Sequence, residues 1–224
     1  MRLIFFTIYF AFYALNFCFS QSIKLEMQNK NKKPTNIILM IADGAGLSQI
    51  TAAIYKNGNK SNLENFEVVG LQKTHSANSL ITDSAASGTA MACGTKTLNG
   101  AIGVDTKNRS FESILKICEK KGYNSGMIVT SSIVHATPAS FYANVSSRAE
   151  YQEIAYQLSK SEVDFFIGGG EKHFIKRNDN KNLVNEMKDW EFVSNLEQFN
   201  SSTSQKVGYF ISYEEPPSLI EGRK

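Results

Sequence analysis

The sequence is poor in cysteine: Cys18, Cys93 and Cys118 are all it has. No CxxC pair occurs, so no cysteine-based metal spacing is present. Cys93 and Cys118 fall in apolar helical patterns and read as two buried free thiols, not as a disulfide framework. A strong charge of either sign is also missing. The 24 basic and 21 acidic side chains leave a formal +3. The basic ones (Lys24, Lys30, Lys32, Lys33, then Lys172, Lys176, Arg177) lie in short polar stretches that read as solvated surface. That excludes a basic groove, and no nucleic-acid-binding module is recognisable. Histidine is confined to His75, His135 and His173, with no spacing that pairs them as ligands. Gly168-Gly169-Gly170 has the spacing of neither a P-loop nor a dinucleotide fingerprint and reads as a tight turn. No internal repeat is found.

What is present begins with a compartment signal. Arg2 precedes residues 3–19, apolar throughout except for Thr7 and Asn16, and Ser20 offers a small residue for cleavage. Residues 1–20 read as a secretory signal peptide, which predicts a secreted or periplasmic protein with no stable membrane span after its removal. The rival is an uncleaved anchor, since the run sits near the lower limit of about 17 residues for a bilayer span. Residues 21–34 are rich in Lys and Asn and read as a flexible lead-in. Residues 35–224 suffice for one domain.

Within that body, apolar runs and helical patterns alternate. Residues 35–42 (TNIILMIA) form a continuous apolar run, predicting a strand buried on both faces. It ends at Asp43-Gly44. A carboxylate at the carboxyl end of such a strand is where open α/β sheets place their chemistry, and Asp-Gly is equally an ordinary turn. Helices are predicted over 48–55, 84–93, 110–121 with Ser110 as cap, from Thr137-Pro138 with Pro at the first position, and over 150–159. Strands are predicted over 68–74, 126–130, 163–167 and 207–212, while 179–198 alternates polar and apolar residues. The order implies an α/β fold: a mostly parallel central sheet with helices on both faces.

The chain is organised around residues 81–105, ITDSAASGTAMACGTKTLNGAIGVD. Asp83 is a good N-cap, which puts Ser84 at a helix start, where the dipole favours an anion or an alkoxide. The small residues behind it let the helix lie close to a sheet. Ser84 is thus either a cap-region serine or a nucleophile. A metal lowers a hydroxyl's pKa. Asp43 is a candidate hard-oxygen ligand, Thr137 a hydroxyl ligand for a magnesium-like ion, and Arg148 a planar fork for two phosphate oxygens.

Three segments carry a resemblance. NIILMIADGAG (36–46), TDSAASGTAMACGTKTLNGAIGVD (82–105) and HATPASFYANVSSR (135–148) are similar, in that order, to the metal-binding strand, nucleophile segment and substrate-arginine segment of the alkaline phosphatases. DFFIGGG (164–170) resembles a later strand of the same family. The resemblance covers residue 35 onward. It implies a phosphate monoester hydrolase working through a phosphoserine at Ser84. By the same resemblance Asp43 bridges a zinc and a magnesium ion, Ser84 contacts that zinc, and Thr137 ligates magnesium. Arg148 binds substrate phosphate, while His135 and Asp83 stand behind the ligands, His135 acting through water. Two Zn²⁺ and one Mg²⁺ are implied, as is a homodimer.

The family's remaining ligands, a glutamate and several Asp and His residues, lie in the second half of its chain. The resemblance therefore implies a truncated, N-terminal portion, expected by itself to lack tight zinc binding and to turn over little or nothing. The alternative is a non-catalytic fragment with only a partial metal and phosphate site. A sulfatase is disfavoured because no CxPxR-like setting surrounds Ser84. An acyl hydrolase is disfavoured because GxSxG is absent.

Overall fold

The computed structural model describes residues 34–222, so the signal segment 1–20 and nearly all of the lead-in lie outside the described residues. Contacts divide the chain into two units, Met1–Ile41 and Ala42–Lys224. In the first, residues 34–41 form no helix or strand, and Ile37, Ile38, Leu39 and Met40 are exposed. The buried strand expected over 35–42 is not formed. A strand exists through its hydrogen-bonded partner, and no described strand pairs with this run. The same holds for 68–74, where Val68, Val69 and Leu71 stand exposed.

The second unit opens with α1 (Leu47–Lys56) and a 3₁₀ turn (Asn62–Asn65), followed by α2 (Ser84–Cys93) and α3 (Ile114–Glu119). Then come β1 (Gly126–Ser132), α4 (Ala136–Ala139), α5 (Tyr151–Ser159), β2 (Phe165–Gly169), α6 (Lys172–Ile175) and α7 (Leu183–Glu186). Last are β3 (Trp190–Val193), α8 (Leu196–Ser201) and β4 (Lys206–Ser212). The strands form one sheet in the order β1-β2-β4-β3, every pair parallel. The α/β class with a parallel sheet and helical crossovers is thus as expected. No helix among the described residues is long and apolar enough to cross a membrane.

Local chemistry explains the boundaries. Asp83 caps α2 through Oδ1, which accepts Ala86 N–H at 2.9 Å, and Gly94 ends the helix in the left-handed region at φ 68°. The helix predicted from Ser110 starts later. Ser110 is spent on an antiparallel bridge with Val104, and Ser113 Oγ caps Lys116 N–H instead. Pro138 is the third residue of α4, not the first. It is tolerated because first-turn N–H groups have no intrahelical acceptor. Cys93 and Cys118 are free but only half-buried.

The core is centred on β2. Phe166 is fully buried and meets Phe210 at 5.0 Å, Trp190 at 5.4 Å, and Phe174 and Phe192 at 6.4 Å between ring centroids. Gly208, in register with both Phe166 and Phe192, makes room for these rings; a Cβ there would lie 2.8 Å from Phe192 Cε1. α5 adds Ile154, Ala155 and Leu158, all buried. At the carboxyl ends of the strands Ile133 N–H donates to Gly169 O at 2.9 Å, and the buried Tyr142 hydroxyl donates to Ile133 O at 2.8 Å. This fixes where the chain leaves β1 and enters α4. The carboxyl edge is where parallel sheets present their ligand-binding side chains.

Candidate active site

The first half of the site is built on the start of α2. Ser84 is the first helical residue, half-buried, and its Oγ accepts a hydrogen bond from Arg148 Nη1 at 3.0 Å. The same Nη1 donates to Asp83 Oδ2 at 3.1 Å. Asp83 therefore serves both ends of its carboxylate: Oδ1 caps the helix and Oδ2 holds the guanidinium. Its Oδ2 also accepts Gly100 N–H at 3.0 Å, while Gly100 O accepts Arg148 N–H at 2.7 Å. The arginine is thus tied to one short loop directly at its backbone and, through Asp83, at its head.

Asn99 anchors that loop, and it is a residue sequence reasoning missed. Its N–H donates to Asn78 Oδ1 (3.0 Å), its Nδ2 donates to Ile81 O (2.9 Å), and its Oδ1 accepts Asp83 N–H (3.1 Å). The Asn-Gly pair is a turn signal legible in the sequence; its three tertiary partners are not.

The second half of the site joins residues 94 positions apart. Thr137 Oγ1 donates to Asp43 Oδ2 at 2.8 Å. Asp43 sits in a turn whose Gly44 has φ 70°, closed by Ala45 N–H to Ala42 O. The turn reading of Asp43-Gly44 holds, whereas among the described residues no strand precedes it, so Asp43 does not stand at a strand's carboxyl end. Thr137 is the second residue of α4, with His135 half-buried at the N-cap, making no capping bond with its side chain. α4 packs on α2: the space beside Gly88 Cα is bounded by Ser140 and by Thr137 Cα. Gly88 is four residues after Ser84, about 6 Å along the helix and on the same face. The Asp43–Thr137 pair and the Ser84–Arg148 pair are thus linked through the contact of α4 with α2.

The donor set decides which cations suit it. Two hard oxygens, from Asp43 and Thr137, stand side by side, as a magnesium-like ion requires. A zinc centre needs three or four protein ligands. Among the described residues no three His, Cys, Asp or Glu side chains are placed to hold a metal. Of the other histidines, His75 accepts through its backbone carbonyl from Lys96 Nζ, while the His173 ring lies 5.0 Å from that of Tyr151, where burial lowers its pKa.

The double duty of Asp83 is testable. Asp83→Ala deletes the helix cap, and a lost cap costs about 1–2 kcal/mol. Asp83→Asn keeps an acceptor for Ala86 N–H and is expected to retain most of that stability in urea unfolding. An equal loss in both variants would place the cost on the Arg148 contact instead.

A profile of the alkaline phosphatases matches residues 34–218. The chain is 33% identical over 211 residues to the repressible alkaline phosphatase of Saccharomyces cerevisiae, covering 82% of this chain and 37% of that one. To alkaline phosphatase 4 of Bacillus subtilis it is 35% identical over 189 residues, covering 77% and 41%. The chain thus spans about two fifths of the length of these curated relatives. Among solved structures, the alkaline phosphatase of the Antarctic bacterium TAB5 superposes with a TM-score of 0.81 at 38% identity, covering 85% of this chain and 57% of that one. A variant of that enzyme with magnesium in its M3 site gives 0.77 at 39% identity, covering 81% and 54%.

Proposed function

The chain belongs to the alkaline phosphatase family, and from that premise we propose that the Ser84 site takes the phosphoryl group of a phosphate monoester. The observation that carries the reading is Arg148 Nη1, held 3.0 Å from Ser84 Oγ at the first turn of α2. A phosphate seated there meets a guanidinium fork and the free N–H groups of a helix start, both of which favour its charge.

In the first half-reaction Ser84 Oγ bonds to phosphorus, the ester P–O bond breaks, and the alcohol leaves with a proton. In the second, water attacks the phosphoserine, inorganic phosphate departs and Ser84 regains its proton. Arg148 grips the phosphoryl oxygens throughout, and Asp83 keeps the guanidinium aimed at them. Positioning and charge neutralisation supply most of the rate in such transfers. Asp43 and Thr137 would hold a divalent cation, with His135 at the N-cap of the same helix as Thr137, and when bound it would supply positive charge that favours ionisation of a nearby hydroxyl. The described residues do not complete a zinc centre, and no step is assigned to one. Export to the periplasm or beyond, and pairing as a homodimer, belong to the same reading.

A second reading rests on the phosphate ligands alone, Arg148 and the start of α2: the residues bind phosphate without turning it over. One experiment separates the two. The 224-residue chain is mixed with 4-nitrophenyl phosphate, Mg²⁺ and Zn²⁺, quenched in acid and peptide-mapped. Phosphate on Ser84 supports the transfer reading. Saturable binding of inorganic phosphate with no covalent label supports the second. Label on another residue rejects the assignment of Ser84.

A further inference from the structure

Gly88 lies in the middle of α2, where glycine is unfavourable relative to alanine. Its backbone is ordinary helix, outside the left-handed region, so conformational freedom is not what it supplies. What it supplies is room. A Cβ on Gly88 would lie 2.7 Å from Ser140 Oγ, 3.1 Å from Ser140 Cβ and 3.6 Å from Thr137 Cα. Ser140 cannot swing aside: it is 1% exposed, and its Oγ donates to Ala136 O at 2.8 Å. A methyl group at position 88 would therefore push α4 itself, and α4 carries Thr137.

We infer that Gly88 and Ser140 form a spacer that sets how far the Asp43–Thr137 oxygen pair stands from the Ser84 helix; the inference rests on the cation reading of that pair. The Arg148 side of the site is held by a different set of contacts. Its hydrogen bonds run to Asp83, Gly100 and Ser84, and none of them runs to α4. A change at position 88 thus moves the cation ligands and spares the phosphate ligands. Gly88 is a positioning residue, and its effect is reversible: Ser140→Gly removes both of the shortest clashes.

The test uses the 224-residue chain labelled with ¹³C at threonine methyls, titrated with Mn²⁺ as a paramagnetic stand-in for Mg²⁺. In the parent chain Mn²⁺ is expected to broaden the Thr137 methyl resonance saturably. Gly88→Ala is expected to raise the midpoint of that titration about tenfold or more, a shift that needs only about 1.4 kcal/mol. Gly88→Ala/Ser140→Gly is expected to return it to within about twofold of parent, while affinity for inorganic phosphate, followed by ³¹P NMR, stays within about twofold in every variant. An unchanged Mn²⁺ midpoint in Gly88→Ala overturns the spacer. So does a midpoint that Ser140→Gly fails to restore, or a parallel fall in phosphate affinity, since either points to general damage. If the parent chain shows no broadening at Thr137, the cation reading beneath the inference is itself wrong.

Discussion

Alanine in place of Ser84 is expected to leave the chain folded and able to bind inorganic phosphate, yet unable to carry phosphate covalently. Among the described residues the Ser84 hydroxyl has one hydrogen-bond partner, Arg148 Nη1. The cap on α2 comes from Asp83, not from Ser84, and alanine is a better helix former than serine. The change in stability should therefore stay within about 0.5 kcal/mol. Arg148 keeps its bonds to Asp83 Oδ2 and to Gly100 O in the variant, so the fork still points at the helix start. Arg148→Ala should give the opposite pattern. A hydrogen bond to a charged group contributes about 1.5–3 kcal/mol, so losing even one such bond should lower affinity for inorganic phosphate about 10- to 150-fold. Ser84 remains available for labelling at saturating ester. Acid-quenched peptide mapping reads the first effect and ³¹P titration the second. If phosphate affinity collapsed in Ser84→Ala and survived in Arg148→Ala, the roles given to the two residues would be reversed.

The parts of this arrangement that could be read without coordinates are those whose causes are local. α2 begins at Ser84 and ends before Gly94 because an aspartate cap and a left-handed glycine are short-range devices. β2 and β4 fall within two residues of their apolar runs. The misreadings share one cause. Residues 35–42 and 68–74 have strand-like composition, but a strand is a pairing, and composition does not name the partner. Ser110 and Ser113 are equivalent as caps in one dimension; the bridge from Ser110 to Val104 breaks the tie. For the site, the spacing of residues supplied the types, and the family resemblance supplied the grouping. Nothing local shows that Thr137 reaches Asp43 across 94 residues, or that Asn99 ties Asp83 to Asn78 and Ile81. Gly88 was legible as one of the small residues that let α2 pack closely, but the expected surface was a sheet, and the structure puts the helix α4 there. Its neighbour, and hence its consequence, was not.

Phe166→Ala is expected to be the most damaging single core substitution, because the ring at the centre of the sheet supports the edge that carries the site. Phe166 has no exposed surface and touches four other aromatic side chains. Its removal loses transfer free energy and leaves a cavity that rings packed this closely can fill only in part, so the cost should be about 3–5 kcal/mol. Against a total stability of about 5–15 kcal/mol for an ordinary domain, that is a large fraction. Phe165 provides the control. It is half-buried on the other face of β2 and meets Phe199 edge-on at 5.9 Å, so alanine there forfeits less burial and should cost about half as much. Urea unfolding of the two variants, compared at constant m value, reads the difference. The damage should also reach the site. β2 ends at Gly169, whose carbonyl holds Ile133 N–H just before the turn into α4. Loosening the strand frees that turn, so the Thr137 methyl in Phe166→Ala should lose its single sharp resonance at urea concentrations where Phe165→Ala still keeps it. Equal unfolding midpoints for the two variants would show that the sheet is not supported from the Phe166 face.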